Sequence, residues 1–266
     1  MQGILFVSHG TIHPVIRRNM IDDFAGAIND RFEDSMVVTA FTSGDVRTFI
    51  RKRDGEKIRD IRASLLNMKA EGVTDAVVIS THVIENSGYI SMREQVNSCA
   101  PIFHSIRIAR PLLDSDKDAE LFARAAYSAF SDEYKNSNIV FLLSGEKNCG
   151  NEILESLDVK LKKILGNNSY VVTIHGKNRI GSVLREMKKI KETCNNFQTD
   201  IKIIPLSFLN KGTIGEEEEK KIAEYDNVIA SIKNAGYSVD EISDGLGEFD
   251  EFQRLYMRHL YDSLRD

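Results

Sequence analysis

The chain has 266 residues, 42% hydrophobic and 28% charged with only 4 prolines, which suits one large or two medium folded domains and excludes disordered, collagenous and coiled-coil readings. Its formal net charge of −5, from 35 basic and 40 acidic side chains, and its lack of Trp leave no electrostatic or stacking footprint for nucleic acid. No apolar run approaches the roughly 18 to 20 residues that cross a bilayer, and Met1 to Val7 is too short and uncharged for a signal peptide, so a cytoplasmic protein with no membrane partner is expected.

Short β-rich runs alternate with helical segments, the pattern of a parallel α/β sheet. Gly3 to Val7 is an apolar strand that ends in Ser8-His9-Gly10-Thr11. Ile16, Met20, Phe24, Ala27 and Ile28 fall at helical spacing within Val15 to Phe32, and Met36 to Phe41 is the next strand. A second amphipathic helix is expected over Glu56 to Ala70, then a buried strand from Ala76 to Ser80 that runs into Thr81-His82. Ile106 to Ala109 is a further strand, stopped by Pro111. A helix around Ala119 to Tyr134 follows.

The same order then begins again. Phe6-Val7-Ser8-His9-Gly10 is echoed by Phe141-Leu142-Leu143-Ser144-Gly145 at an offset of 135 residues, and Met36 to Phe41 by Tyr170 to His175 at 134. Thr74-Asp75 before Val77-Val78-Ile79 is echoed by Thr199-Asp200 before Lys202-Ile203-Ile204 at 125. Three echoes in one order predict two similar α/β lobes: residues 1–115 and 137–245, joined by a connecting helix over 116–136. The helix from Asn178 to Thr193 takes the part of Glu56 to Ala70. The last amphipathic helix, Phe249 to Leu264, has no counterpart, and the segment 246–266 is expected to pack back across the lobes.

Ligands of parallel sheets bind beyond the carboxyl ends of the strands. His9, His82 and His175 each follow a strand, so two lobes facing across a cleft would let three imidazoles approach one ligand; the alternative for each is a hydrogen bond to its own loop. Imidazole suits Co, Ni, Zn and Fe. His13, His104 and His259 lack that placement and read as structural or surface residues. Arg47 and the run Arg51-Lys52-Arg53 lie just after the second strand, either as a solvated helix end or as carboxylate binders. Glu216 to Glu219 reads as an exposed helix start. Without a G-x-G-x-x-G or a G-x-x-x-x-G-K-[ST] motif, no nucleotide cofactor is expected, and the Ser8-His9 pair lacks a G-x-S-x-G elbow. The three cysteines, Cys99, Cys149 and Cys194, form no C-x-x-C pair and suit a reducing compartment.

Several pieces carry a more specific pattern: Val7-Ser8-His9-Gly10-Thr11, Ala40-Phe41-Thr42-Ser43-Gly44 followed by Arg51-Lys52-Arg53-Asp54-Gly55, and His82-Val83-Ile84 with Tyr89 beyond. They continue in Arg110-Pro111-Leu112-Leu113, Ile204-Pro205-Leu206, and Gly245-Leu246-Gly247-Glu248 with His259-Leu260 beyond. Over nearly the whole chain and in the same order, these pieces resemble the anaerobic sirohydrochlorin cobaltochelatases, class II tetrapyrrole chelatases related in fold to ferrochelatase.

The resemblance implies two Rossmann-like lobes with parallel sheets around a central cleft that holds a tetrapyrrole, with a divalent metal, Co2+ first, as the second substrate. It also implies a His-Glu-His metal set in the second lobe, whose positions here carry Ser144, His175 and Thr213. Hydroxyls are poor cobalt ligands, whereas His9 resembles the N-terminal ligand of the small single-lobe chelatases. The expected metal set is therefore His9, His82 and His175, with His175 and His82 also as proton acceptors. The expected macrocycle site comprises Phe41, Thr42, Ser43, Gly44, Arg47, Arg51, Arg53, Tyr89, Ser144 and Thr213, with Phe41, Ile84 and Phe208 either as apolar walls or equally as core. The implied function is cobalt insertion into a sirohydrochlorin-type tetrapyrrole for cobalamin synthesis. The alternative is a non-catalytic tetrapyrrole carrier on the same scaffold, and association into a homo-oligomer is left open.

Overall fold

The computed structural model describes residues 1–143, 150–175, 179–193, 198–209, 214–241 and 245–265. Its first sheet contains β1 (Gln2–Ser8), β2 (Ser35–Phe41), β3 (Asp75–Ser80) and β4 (Ser105–Ile108), in the spatial order β2-β1-β3-β4. The second contains β5 (Asn138–Leu143), β6 (Ser169–Thr173), β7 (Asp200–Pro205) and β8 (Ser238–Glu241), in the order β6-β5-β7-β8. All pairings are parallel. The central strands are buried on both faces, which is why β1 and β5 read as unbroken apolar runs.

In the first lobe the connections are α1 (Pro14–Ile16), a π-helical turn (Arg17–Asp22), α2 (Asp23–Arg31), α3 (Gly44–Asp54), α4 (Ile61–Ala70) and α5 (Ser87–Ser98). Next comes α6 (Asp116–Asn136), which leads into the second sheet, and then α7 (Asn151–Leu165), α8 (Ile180–Thr193), α9 (Glu216–Asn234) and α10 (Asp250–Arg265). The starts follow capping chemistry: Ser43, Asp60, Asn86 and Ser115 each accept a backbone N–H of the first turn. Among the described residues no helix is long and apolar enough to cross a membrane.

Backbone hydrogen bonds show how far the two lobes repeat. Thr81 N–H donates to the Val7 carbonyl (3.0 Å) as Leu206 N–H does to Leu142 (2.8 Å), and Thr42 N–H donates to Ser8 (2.9 Å) as Ile174 N–H does to Leu143 (3.1 Å). Beyond the sheets, Leu112 N–H binds the His82 carbonyl (3.0 Å) and Leu246 N–H binds that of Ser207 (2.8 Å). The Pro111-Leu112 and Gly245-Leu246 pieces are thus equivalent hooks. One echo needs correction: Ser8 pairs with Phe41 and Leu143 with Thr173, so His175 corresponds to Ser43 rather than to Phe41. The apolar spelling of the two strands matches equally well two residues out of register, and only the ladder decides between the alternatives.

One apolar cluster runs through both lobes, from Phe6 and Phe24 to Phe141, Phe208 and Phe252. Its rings meet edge-on or tilted, with Phe6 5.3 Å from Phe24, Phe208 5.4 Å from Tyr256 and Phe122 4.7 Å from Phe252. Each buried ring contributes about 1.5–3 kcal/mol through area and about 0.5–1.5 kcal/mol more per aromatic pair. The face of α10 that carries Phe252, Tyr256, His259 and Leu260 is buried. This helix lies on α6, β3 and β4, and Tyr256 donates its hydroxyl to the Thr81 carbonyl at 3.1 Å.

Candidate functional site at the sheet edge

At the carboxyl edge of the first sheet β1 ends at Ser8, and the exposed His9 follows. The chain turns at Gly10, where φ is +91° and a Cβ would lie 2.5 Å from the Phe41 ring, so this turn requires glycine. The segment after β2 closes over it. Ser43 N–H donates to the His9 carbonyl at 3.2 Å, and Thr42 Oγ1 lies 3.4 Å from His9 Nδ1. Ser43 then caps α3, and Gly44 opens it. Thr42, Ser43 and Gly44 therefore border His9.

His82 stands on the neighbouring strand, two residues past the end of β3. Its Nδ1 is 3.1 Å from Ser80 Oγ, and its ring meets Tyr89 edge-on at 5.6 Å. Nε2 faces Gly88, where a Cβ would approach to 3.1 Å. Burial of the ring, reinforced by repulsion from His9, pushes the His82 pKa down to about 4. His82 is therefore neutral near pH 7, with a lone pair to offer a metal or a proton.

His175 does not join this pair. Its Nε2 bonds Glu224 Oε2 on α9 at 2.8 Å, and among the described residues no three His, Cys, Asp or Glu side chains come together to hold a metal. The expected three-imidazole set is therefore not assembled among the described residues: His9 and His82 follow adjacent strands, and His175 is bonded to Glu224. Ser144 and Thr213 lie outside the described residues, as do Cys149 and Cys194.

The apolar walls expected of the cleft are core. Phe41 (1% exposed) lies beneath Gly10 and the Arg17 guanidinium, Phe208 (2%) stacks on Phe6, Phe24 and Tyr256, and Ile84 (2%) faces Gly150. Tyr89 is also corrected. It is 4% exposed, and its hydroxyl donates to the Ala109 carbonyl at 3.0 Å, so it braces His82 instead of meeting a ligand.

The basic residues divide by what already holds them. Arg53 forks onto Asp54 with two contacts of 2.7 Å and donates to the Ile12 carbonyl at 2.6 Å. Arg47 donates to the Phe41 carbonyl at 2.6 Å, bracing the turn into α3. Arg51 is exposed. His104 is exposed beside Asp75, and His259 is buried against Asp118, both as structural contacts.

Two features escaped the sequence. Glu224 carries no local signal, because only the tertiary fold brings α9 to the end of β6. An open cavity of about 390 Å3 lies between the lobes, lined by Asp45, Thr48, Phe49 and Lys52 of α3 and by Ile214 and Gly215. The four α3 residues share one face at spacings of three and four, a pattern that was legible but hidden within a charged segment.

Comparison with known proteins places these features in context. Residues 2–265 match the family model described as cobalt chelatase (CbiK). A sirohydrochlorin cobaltochelatase of Salmonella typhimurium is 28% identical over 148 residues, a match that spans about half of each protein (54%). Among solved structures, SirB from Bacillus subtilis with Fe3+ superposes with a TM-score of 0.65 at 14% identity, covering 98% of this chain and 95% of that one. CbiX, described as the terminal enzyme of siroheme biosynthesis in denitrifying bacteria, gives 0.56 at 11% identity, covering 98% and 99%. At these identities the solved structures establish the fold alone: two parallel-sheet lobes of the chelatase type.

Proposed function

The chain belongs to the CbiK cobalt chelatase family, and from that premise we propose that it inserts Co2+ into a sirohydrochlorin-type tetrapyrrole on the way to cobalamin. The observation that carries the reading is the pair of imidazoles, His9 and His82, on adjacent strands at the carboxyl edge of the first sheet, with His82 held neutral. The relative from Salmonella typhimurium, named as a sirohydrochlorin cobaltochelatase, supports the choice of metal and macrocycle.

Insertion exchanges one divalent ion for two pyrrole N–H protons, so the site must hold the ion, seat the macrocycle and accept protons. His9, exposed at the strand end, and His82 are the proposed metal-holding pair, and imidazole nitrogen suits cobalt. His82, neutral near pH 7, can take a proton only transiently, and because its protonated form is disfavoured where it sits it passes that proton on readily. His175, already bonded to Glu224, is left out of the metal pair. Thr42, Ser43 and Gly44 shape the rim around His9; Arg47 is tied to the Phe41 carbonyl, and the exposed Arg51 stands next along α3 as a candidate partner for acidic side chains of the substrate.

The test is cobalt insertion into sirohydrochlorin, followed by absorbance, beside a binding titration. Turnover should fall at least about a hundredfold in His9→Ala and in His82→Ala, the low end for removal of a proton acceptor. Turnover unchanged in both variants would refute the assignment. Binding without turnover in the unmodified protein would favour the carrier alternative.

A further inference from the structure

We propose that Lys52, with Phe49 beside it, forms a subsite for a peripheral carboxylate of the macrocycle, in the cavity between α3 and the Ile214–Gly215 segment. The inference rests on the tetrapyrrole reading above and deepens it by naming the side chains that read the acidic rim.

Four observations converge. The cavity is walled by the first lobe on one side, through Asp45, Thr48, Phe49 and Lys52, and by Ile214 and Gly215 of the second lobe on the other. The lobes come close there: a Cβ on Gly215, whose φ is +118°, would lie 2.9 Å from Asp45 Oδ2. At about 390 Å3 the cavity sits at the low end of small-molecule sites, so it takes one edge of a large planar ligand rather than the whole. Phe49 is 37% exposed, a large aromatic ring on the cavity wall, with the Arg53 guanidinium over it at 5.3 Å.

The cations sort themselves by engagement. Arg53 is neutralised by its fork onto Asp54, Arg17 by its fork onto Glu56, and Arg47 is tied to a backbone carbonyl. Among the described residues Lys52 has no carboxylate partner, and it lines the cavity. A compact ammonium on a flexible stem suits a terminal carboxylate on a short acid side chain. Asp45, two turns earlier on the same face, repels carboxylates from the Gly215 end. One wall therefore carries, in order, an anion, a small hydroxyl, an apolar ring and a cation. A macrocycle edge would lay its ring against Phe49 with its acid group toward Lys52.

The probe is uroporphyrin I, an octacarboxylate, titrated by fluorescence quenching into the full chain, with its octamethyl ester in the same detergent buffer as the uncharged comparison. The Kd for uroporphyrin should rise about tenfold in Lys52→Ala, the effect of one lost charge-assisted hydrogen bond. It should stay within about threefold of the unmodified value in Lys52→Arg, which keeps the charge. Phe49→Ala should weaken both probes, whereas Lys52→Ala should leave the ester unaffected. Lys52 is exposed, so these variants fold. If the unmodified chain binds uroporphyrin and Lys52→Ala binds it equally well, the subsite is overturned while the tetrapyrrole reading stands. If the unmodified chain binds neither uroporphyrin nor sirohydrochlorin, the tetrapyrrole reading fails and the subsite with it.

Discussion

Asp118→Asn should be among the most damaging single-atom exchanges in this protein. Asp118, on the first turn of α6, is 4% exposed, and His259 of α10 is 2% exposed. His259 Nε2 lies 3.0 Å from Asp118 Oδ1, while Ser115 Oγ (2.6 Å) and Arg110 Nη1 (3.0 Å) donate to Oδ2. His259 Nδ1 faces the Arg110 carbonyl at 3.2 Å. One carboxylate therefore joins α6, α10 and the segment after β4. An Asn keeps an oxygen for His259 but turns an NH2 group onto two donors. Breaking a buried charged contact costs about 3–5 kcal/mol. Arg110 is 41% exposed, so solvent screens its share, and the lower figure of about 3 kcal/mol applies. For a chain of this size that is a fall in Tm of about 6–12 °C.

The pH dependence has a definite sign. Burial alone would raise the Asp118 pKa, but the hydrogen bonds from His259 and Ser115 and the charges of His259 and Arg110 outweigh it and hold the carboxyl well below its usual range. The stabilisation is present above the unfolded value of about 3.9 and is lost as pH falls below it. Urea unfolding of both proteins at pH 7 and pH 3.5 should therefore show a large gap that shrinks in acid. A cycle with His259→Gln should return a coupling of at least about 1 kcal/mol. A gap at pH 7 below about 1 kcal/mol, within the range of a surface pair, would refute the idea that this network fastens the last helix.

Three further outcomes are expected. Gly10→Ala should cost at least about 2 kcal/mol in urea unfolding, because φ of +91° is strained for alanine and the new Cβ meets the buried Phe41 ring at 2.5 Å; a neutral substitution would mean that the turn rebuilds freely. Tyr256→Phe should lose about 1–2 kcal/mol by leaving the Thr81 carbonyl without its 3.1 Å donor, read as a lower urea midpoint with an unchanged slope. His82, whose pKa is pushed from 6.5 down to about 4, contributes stability that is full above about pH 6.5 and drains as pH falls toward 4. His82→Gln should therefore narrow the loss of urea resistance between pH 7 and pH 4.5, and equal losses in both proteins would count against a half-buried ring held neutral.

Much of the architecture was written locally. Strands such as β1, β3 and β5 are buried on both faces, so each had to be spelled as an apolar run, and the recurrence of that spelling exposed the duplicated lobe. Strand ends are equally local, which is why His9 and His82 could be placed at the sheet edge. Of the helices without a sequence expectation, α7 was the most legible, since Leu154, Leu157, Leu161 and Leu165 keep helical spacing and are all buried. By contrast, α3 buries only Val46 and Ile50 among charged neighbours, which leaves little periodic signal.

The sequence by itself determined the fold class, the repeat, and which imidazoles stand at strand ends. Those properties depend on residues near one another in the chain, where periodicity and capping act. Tertiary structure alone decided the rest: that Glu224 captures His175, that Phe41 and Phe208 are core and not cleft wall, and that Arg53 is already paired whereas Lys52, among the described residues, is not. Each depends on a partner from another element, at separations such as the 49 residues between His175 and Glu224. A side chain's chemistry says only what it is able to bind, and the packing of distant elements chooses which partner reaches it first.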